Sequence, residues 1–412
     1  MKSHTLLVHQ AFVSKDDPGG TRHYELGERL VAEGQQFTVV ASDVSYLTGK
    51  RLVPKKKLMT ETCEDGIRIL RAYTYSSLHT SYFLRVISFL SFMATSIVVG
   101  ARVSRPDVVM GTTPPIFQAV SAWALSVLRR RPFLLEVRDL WPEFAIDIGV
   151  LTNPTLIRLA RWLESFLYDR ADYLLVNSPA YRDYLIRKGI APGKITFIPN
   201  GVDPQMFDPH QHSEHFRQQY GLQEKFVVTY AGAIGMANDI DVLVRAAAAI
   251  SHRDDIQILI AGDGKERKRL EDLVRQLGLE NVTFTGALPK SQMKMVLAAS
   301  DACIAILRNI RMFTTTYPNK VFDYMAAGRP TILAIDGVIR EVVEAAKGGI
   351  FVQPGDANLL ARAITDLADD PERVREMGLS ARAYVVKHFN RDEHARAFAD
   401  LISRVAYGRS VQ

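Results

Sequence analysis

The sequence predicts an α/β protein of two domains, each a parallel sheet covered by helices on both faces. Three observations carry this. The chain has 412 residues, too many for one ordinary core. Short β-branched runs alternate with helical stretches, as strands buried on both faces do. The alternation breaks once, at IPNGVDPQMF (Ile198 to Phe207), where two prolines and an Asn-Gly turn make linker chemistry.

The elements follow in order. The start, MKSHTLLVHQAFV, lacks a signal-peptide layout and reads as a first buried strand, Leu6–His9. Phe37–Ala41, Val108–Met110, Phe133–Val137 and Tyr173–Asn177 complete the first half. Phe226–Ala231, Ile256–Ala261, Val282–Thr285, Ala302–Ile306 and Thr331–Ala334 fill the second. Two Rossmann-like domains are expected, at residues 1–203 and 204–390. The last segment, RDEHARAFADLISRVAYG, is expected to be a helix over about 391–412 that returns to the first domain.

Between the first two strands lies DDPGGTRHYELGERLVAEG, Asp16 to Gly34. Two glycines let a ligand approach the backbone, and the helix behind them offers unpaired N–H groups. Gly19 and Gly20, with Arg22 and His23 adding charge, suit a phosphate. A plain strand-to-helix turn uses glycine as readily.

Hydrophobic residues make up 47% and charged residues 23%, an ordinary globular balance. The net charge of +6 suits an anionic partner: a nucleotide, a phospholipid surface or nucleic acid. The two cysteines, Cys63 and Cys303, lie in different halves, so neither a disulfide framework nor a metal cluster is implied. GDGKER at Gly262–Arg267 lacks P-loop spacing. His9, His23 and His79 have no partner at motif spacing.

Tyr82 to Gly100, YFLRVISFLSFMATSIVVG, is nearly long enough to span a bilayer, but Arg85 and its hydroxyl residues argue against spanning. It is either a buried core helix or one lying in a membrane interface. Five basic residues between Lys50 and Lys57 would draw such a helix to anionic lipid; a solvated basic loop is the alternative.

The richest stretch is YPNKVFDYMAAG, Tyr317 to Gly328. Pro318 and Asn319 mark a helix start, with Asn319 as N-cap. Lys320 falls in the first turn, where a cation opposes the helix dipole unless it faces an anion. Asp323 follows one turn later on the same side. Helix N–H groups and a cation for a diphosphate, then a carboxylate for ribose hydroxyls, make a nucleotide constellation. An ion-paired surface helix is the alternative.

Taken together, the motifs resemble glycosyltransferase family 4, retaining enzymes of the GT-B fold. PGGTRHYELGERLVAEG, LEVRDLWPE, IPNGVD, YAGAIG, ILIAGDGKERKRLEDLVRQLGLENVTFTGALPK, FDYMAAGRP and REVVEAAKGGIFVQPGD follow in the family's order over essentially the whole chain. The likeness is nearest to bacterial O-antigen and capsule transferases of the L-fucosamine transferase (WbuB) type. It implies two Rossmann-like domains facing a cleft, the first taking the acceptor and the second the nucleotide-sugar. Gly19, Gly20, Gly232, Gly235, Asn319, Lys320, Asp323 and Glu341 would then bind the donor. Arg138 and Asp139 would lie beside the transferred sugar, unless Asp139 only caps the turn before Trp141–Pro142; Glu143 is a weaker candidate.

The sequence departs from the family signature in three places. The first signature glutamate falls at Thr315 and the second is Asp323. Positions that often carry an arginine and a lysine are Ala233 and Asn238. Lys320 is then the main cation, with Arg308 or Arg311 assisting. The resemblance implies a UDP donor, an N-acetylated deoxysugar, no obligatory cofactor or metal, no nucleic acid, and an undecaprenyl-diphosphate-linked saccharide acceptor. It implies a cytoplasmic enzyme, peripheral on the inner face of the cell membrane. A UDP-sugar epimerase or hydrolase of the same fold, or a non-catalytic nucleotide-sugar-binding assembly partner, are the rival readings.

Overall fold

The computed structural model describes residues 3–14, 20–46, 49–53, 57–76 and 82–408, apart from the side chains of Tyr82 and Phe83. Gly19, Lys55, Lys56 and His79 therefore lie outside the described residues. The chain divides into two units, Met1–Pro199 with Glu393–Gln412, and Asn200–Asp392.

The first unit holds β1 (His4–Val8), β2 (Gln36–Ser42), β3 (Met59–Glu64), β4 (Ile67–Ala72), β5 (Val108–Thr113), β6 (Phe133–Val137), β7 (Tyr173–Val176) and β8 (Ile195–Phe197). They form one sheet in the order β3-β4-β2-β1-β5-β6-β7-β8. Every residue of β1, β5 and β6 is buried, which is why these strands read as largely apolar runs without alternation.

The sheet differs from the expected one at its edges. β3 runs antiparallel to β4 through a turn at Asp65-Gly66, both with positive φ. That dipeptide is a hairpin signal. A search for apolar runs passes over β3, because MTETCE is a largely exposed, polar edge strand.

Helices α1 (Arg22–Ala32), α2 (Tyr82–Gly100), α3 (Ile116–Arg129), α4 (Glu143–Asp147) and α5 (Pro154–Arg170) connect the strands. The closing helix, Arg391–Tyr407, packs Phe398, Leu401 and Ile402 into one core with Leu7, Phe37 and Leu134. No helix among the described residues is long and apolar enough to cross a membrane.

The second unit holds β9 (Phe226–Ala231), β10 (Ile256–Ala261), β11 (Val282–Gly286), β12 (Ala302–Ile306), β13 (Thr331–Ala334) and β14 (Gly349–Phe351). Their order is β11-β10-β9-β12-β13-β14, all parallel. Apolar clusters line both faces of this sheet. In each sheet the strand order reverses once, between β1 and β5 and between β9 and β12. Ligands of open α/β sheets bind beyond the carboxyl ends of the strands at such points.

Candidate active site

In the second unit, the chain leaves β9 through Gly232, with φ 150°, and leaves β10 through Gly262, with φ 158°. A Cβ at Gly262 would collide with the Gly232 carbonyl oxygen, so the two turns meet backbone to backbone. A Cβ at Gly232 would stand 2.8 Å from Lys320 Nζ. Gly235 has an extended backbone with φ −121° that any residue adopts. It lines a cavity of about 300 Å³ together with Arg245, Arg269 and Arg308.

Lys320 lies in the first turn of the helix Asn319–Ala326. Asn319 is not the N-cap: extended Pro318 takes that place, Asn319 is already helical, and no side chain caps the helix. Lys320 Nζ sits 4.0 Å from the centre of the Tyr230 ring and has no hydrogen-bond partner among the described residues. Burial pushes this ammonium down to about 7. A buried, unpaired charge is costly, and an anion beside it would restore the charged form.

Asp323 follows one turn later, half-buried and engaged in an interaction of its own. Glu341 is exposed in the first turn of the helix Val338–Ala345. Burial, and then the Glu341 charge, push the Tyr317 phenol up to about 12, which places Glu341 near the residue leading into the Lys320 helix. Thr315 donates its hydroxyl to the Met312 carbonyl at 2.6 Å within its own short turn.

In the first unit, Arg138 and Asp139 follow β6 directly. Burial pushes the Asp139 carboxyl up to about 6, against the Arg138 charge and a hydrogen bond from Tyr181. Asp139 does not cap α4, whose N-cap is Pro142 with no side-chain bond. Glu143 is held by Arg161 through two bonds of 2.8 and 3.0 Å. Gly20 is exposed, and a Cβ there would lie 3.9 Å from Arg138 Nη2.

Arg138 Nη1 donates to His9 Nε2 at 3.2 Å. A guanidinium only donates, so His9 is neutral with its proton on Nδ1. Burial, with His23 and Arg138 nearby, lowers its pKa in the same sense. The His9 ring packs edge-on against His23, centres 4.5 Å apart.

His23 donates Nε2–H to the fully buried Glu136, and Arg22 Nε reaches the same carboxylate at 2.9 Å. Burial opposes ionisation of Glu136, but His23 and Arg22 together hold it well below the usual carboxylate range. The remaining Arg22 nitrogens donate to the Pro199 and Ile198 carbonyls, each at 2.9 Å. This corrects the expectation that Arg22 and His23 add charge for a phosphate: both turn inward onto a buried carboxylate. The sequence signal was Glu136 itself, a lone charge inside the apolar strand FLLEV that needs partners to be buried.

Two largely parallel α/β units with polar loops at the reversal points of their sheets fit the architecture of the GT-B glycosyltransferase class. Two family models agree, a glycosyl transferase 4-like domain over residues 19–201 and glycosyl transferases group 1 over 212–384. Together the two span most of the chain, which is thus built from two domains of the glycosyl transferase family.

It is 26% identical over 228 residues to the alpha-D-kanosaminyltransferase of Streptomyces kanamyceticus, covering 54% of this chain and 58% of that one. It is 22% identical to the putative colanic acid biosynthesis glycosyl transferase WcaI of Escherichia coli, covering 91% and 93%. The chain spans 52%, 61% and 55% of the length of three further curated relatives that it matches. Among solved structures it resembles sucrose-phosphate synthase from Thermosynechococcus elongatus, with a TM-score of 0.78 at 21% identity over 99% of this chain and 100% of that one. Anabaena HepE in complex with UDP gives a TM-score of 0.72 at 19% identity over 97% and 99%. These structural likenesses establish the fold.

Proposed function

We propose that this glycosyltransferase moves a sugar, with retention, from UDP to a hydroxyl of a lipid-linked saccharide during surface polysaccharide synthesis. The observation that carries the donor half is Lys320, a buried ammonium without a hydrogen-bond partner at a helix start, beside the Gly232 turn. A diphosphate suits it: the ammonium and the helix N–H groups would meet the charge that grows on the leaving group. Asp323 takes the ribose hydroxyls. Glu341 contacts the donor near Tyr317, with Asn319, Gly232 and Gly235 around it.

Asp139 and Arg138 serve the transferred sugar and the acceptor hydroxyl, beside Gly20; Gly19 belongs to the same loop. Residues 1–203 and the closing helix form the acceptor domain in this reading, and 204–390 the donor domain. UDP is favoured because the HepE structures hold UDP or UDP-glucose. Polysaccharide synthesis is favoured because WcaI is named for colanic acid biosynthesis. The acceptor would be an undecaprenyl-diphosphate-linked saccharide, at the inner face of the cell membrane, and the sugar an N-acetylated deoxysugar as in the WbuB type.

A panel of nucleotide-sugars, with free UDP scored with and without a lipid-linked acceptor, tests this reading. UDP release that needs the acceptor supports it. Release without any acceptor points to a hydrolase or epimerase, and binding without release to a non-catalytic partner.

A further inference from the structure

Helices α2 and α3 bury apolar residues such as Phe92, Val99 and Leu125, yet carry further apolar residues on their outer side. In α2, Ser88 and Ser96 are fully buried while Leu90 and Val98 face solvent. In α3, Gln118 and Ser121 are fully buried, yet Val127 and Leu128 are 61% and 60% exposed. The two helices join through Ser96 Oγ and Ser121 Oγ at 3.0 Å and through Phe89 stacked on Phe117. α5 joins the same layer, with Phe166 edge-on to Trp123 at 4.9 Å. Along α5, Leu156, Leu159 and Trp162 recur every third residue, the last two 57% and 60% exposed. A layer whose outer side carries leucine, valine and tryptophan is not a face made for water.

Charge identifies what covers it. From Tyr82 to Arg131 the chain carries six arginines and one carboxylate, Asp107. Arg129 donates to the Ala101 and Val103 carbonyls, tying the C-terminal end of α3 to the segment just after α2. Arg130 and Arg131 follow, both exposed, and Arg158 lies exposed between Leu156 and Leu159.

We propose that the outer face of α2, α3 and α5 docks on an anionic lipid bilayer, with Leu159, Trp162, Val127 and Leu128 entering the interface and the arginines meeting headgroup phosphates. It deepens the membrane-side reading above and rests on it for its biological purpose. A second copy of the chain is a poorer occupant. A two-fold interface sets the same patch against itself, so these arginines would meet each other.

The test is sedimentation of the full chain with vesicles of phosphatidylcholine alone, or of phosphatidylcholine with one third phosphatidylglycerol, without any sugar nucleotide. The wild type is expected to sediment with the anionic vesicles, to stay largely free with neutral ones, and to be released by salt. Val127→Glu with Leu128→Glu, and separately Leu159→Glu with Trp162→Glu, should each lower binding at least about tenfold. Arg130→Glu with Arg131→Glu should remove the preference for anionic lipid.

Thermal melting checks the fold of each variant. A vesicle-induced blue shift of tryptophan emission that is lost in Trp162→Phe keeps the proposal testable if a glutamate pair fails to fold. Unchanged vesicle binding in both apolar pairs overturns it, as does a wild type that ignores anionic vesicles. A wild-type dimer that these pairs dissociate, with no vesicle binding, assigns the face to a second copy instead. UDP affinity, read separately by calorimetry, reports on the donor reading: its loss leaves vesicle docking standing, and its persistence does not rescue docking.

Discussion

Lys320 is where the chemistry of this chain is most exposed to test. Its ammonium is buried, without a hydrogen-bond partner, and pushed down to about 7. Without ligand, the unfolded chain binds the extra proton between about 7 and 10.5, so this group destabilises the folded state at low pH and less as pH rises through that window. An arriving diphosphate favours the charged form. UDP binding should therefore take up protons above pH 7 and weaken as pH rises, read by calorimetry in buffers of different ionisation enthalpy. Lys320→Ala should lose both effects and bind UDP roughly ten- to a hundredfold more weakly. Asp139 makes the complementary case. Asp139→Asn should keep UDP affinity and lower turnover by about a hundredfold or more. In the wild type, turnover should fall as pH drops below about 6, where this carboxyl gains a proton, and that limb should be absent in the variant.

Glu136 makes α1, β6 and the segment after β8 behave as one element. Its carboxylate is fully buried, Arg22 and His23 reach it from the first turn of α1, and Arg22 also holds the Ile198 and Pro199 carbonyls. Arg22→Ala removes a permanently charged partner from a buried anion that His23 also holds. Such losses cost about 3–5 kcal/mol, so the urea midpoint should fall clearly. Arg22→Met combined with Glu136→Met removes both charges and should recover a large part of that loss, because the pair's own desolvation cost disappears with it. If the double variant is no better than Arg22→Ala, the carbonyl clasp and not the buried anion carries the stability.

Across the whole molecule, the polar loops gather at the carboxyl ends of two separate sheets. The donor reading places UDP against Gly232–Gly235 and the start of the Asn319–Ala326 helix, all within Asn200–Asp392. Ligand that binds only the folded state stabilises what it touches, by about 2.7 kcal/mol at a hundredfold excess over Kd. Hydrogen exchange should therefore slow on UDP addition at Gly232–Gly235, Gly262–Gly264 and Asn319–Asp323. The strongest protection inside Met1–Pro199 instead would overturn the assignment of the nucleotide to the second unit.

Much of this was legible in the residues alone. Two parallel sheets follow from β-branched runs buried on both faces, because a strand with no wet face has no room for polar residues. That Lys320 and Asp323 sit one turn apart on a single helix was legible from the helical pattern, and both fall within Asn319–Ala326. Other features waited for the fold. β3 is a polar edge strand, so apolar patterning passes over it, although Asp65-Gly66 marks its turn. His9, His23 and Glu136 are scattered along the chain and meet only because the carboxyl ends of the central strands β1 and β6 lie beside the start of α1. The apolar face of three helices is likewise invisible to periodicity: hydropathy says that α2 and α3 are apolar, while tertiary packing decides which side is left facing out.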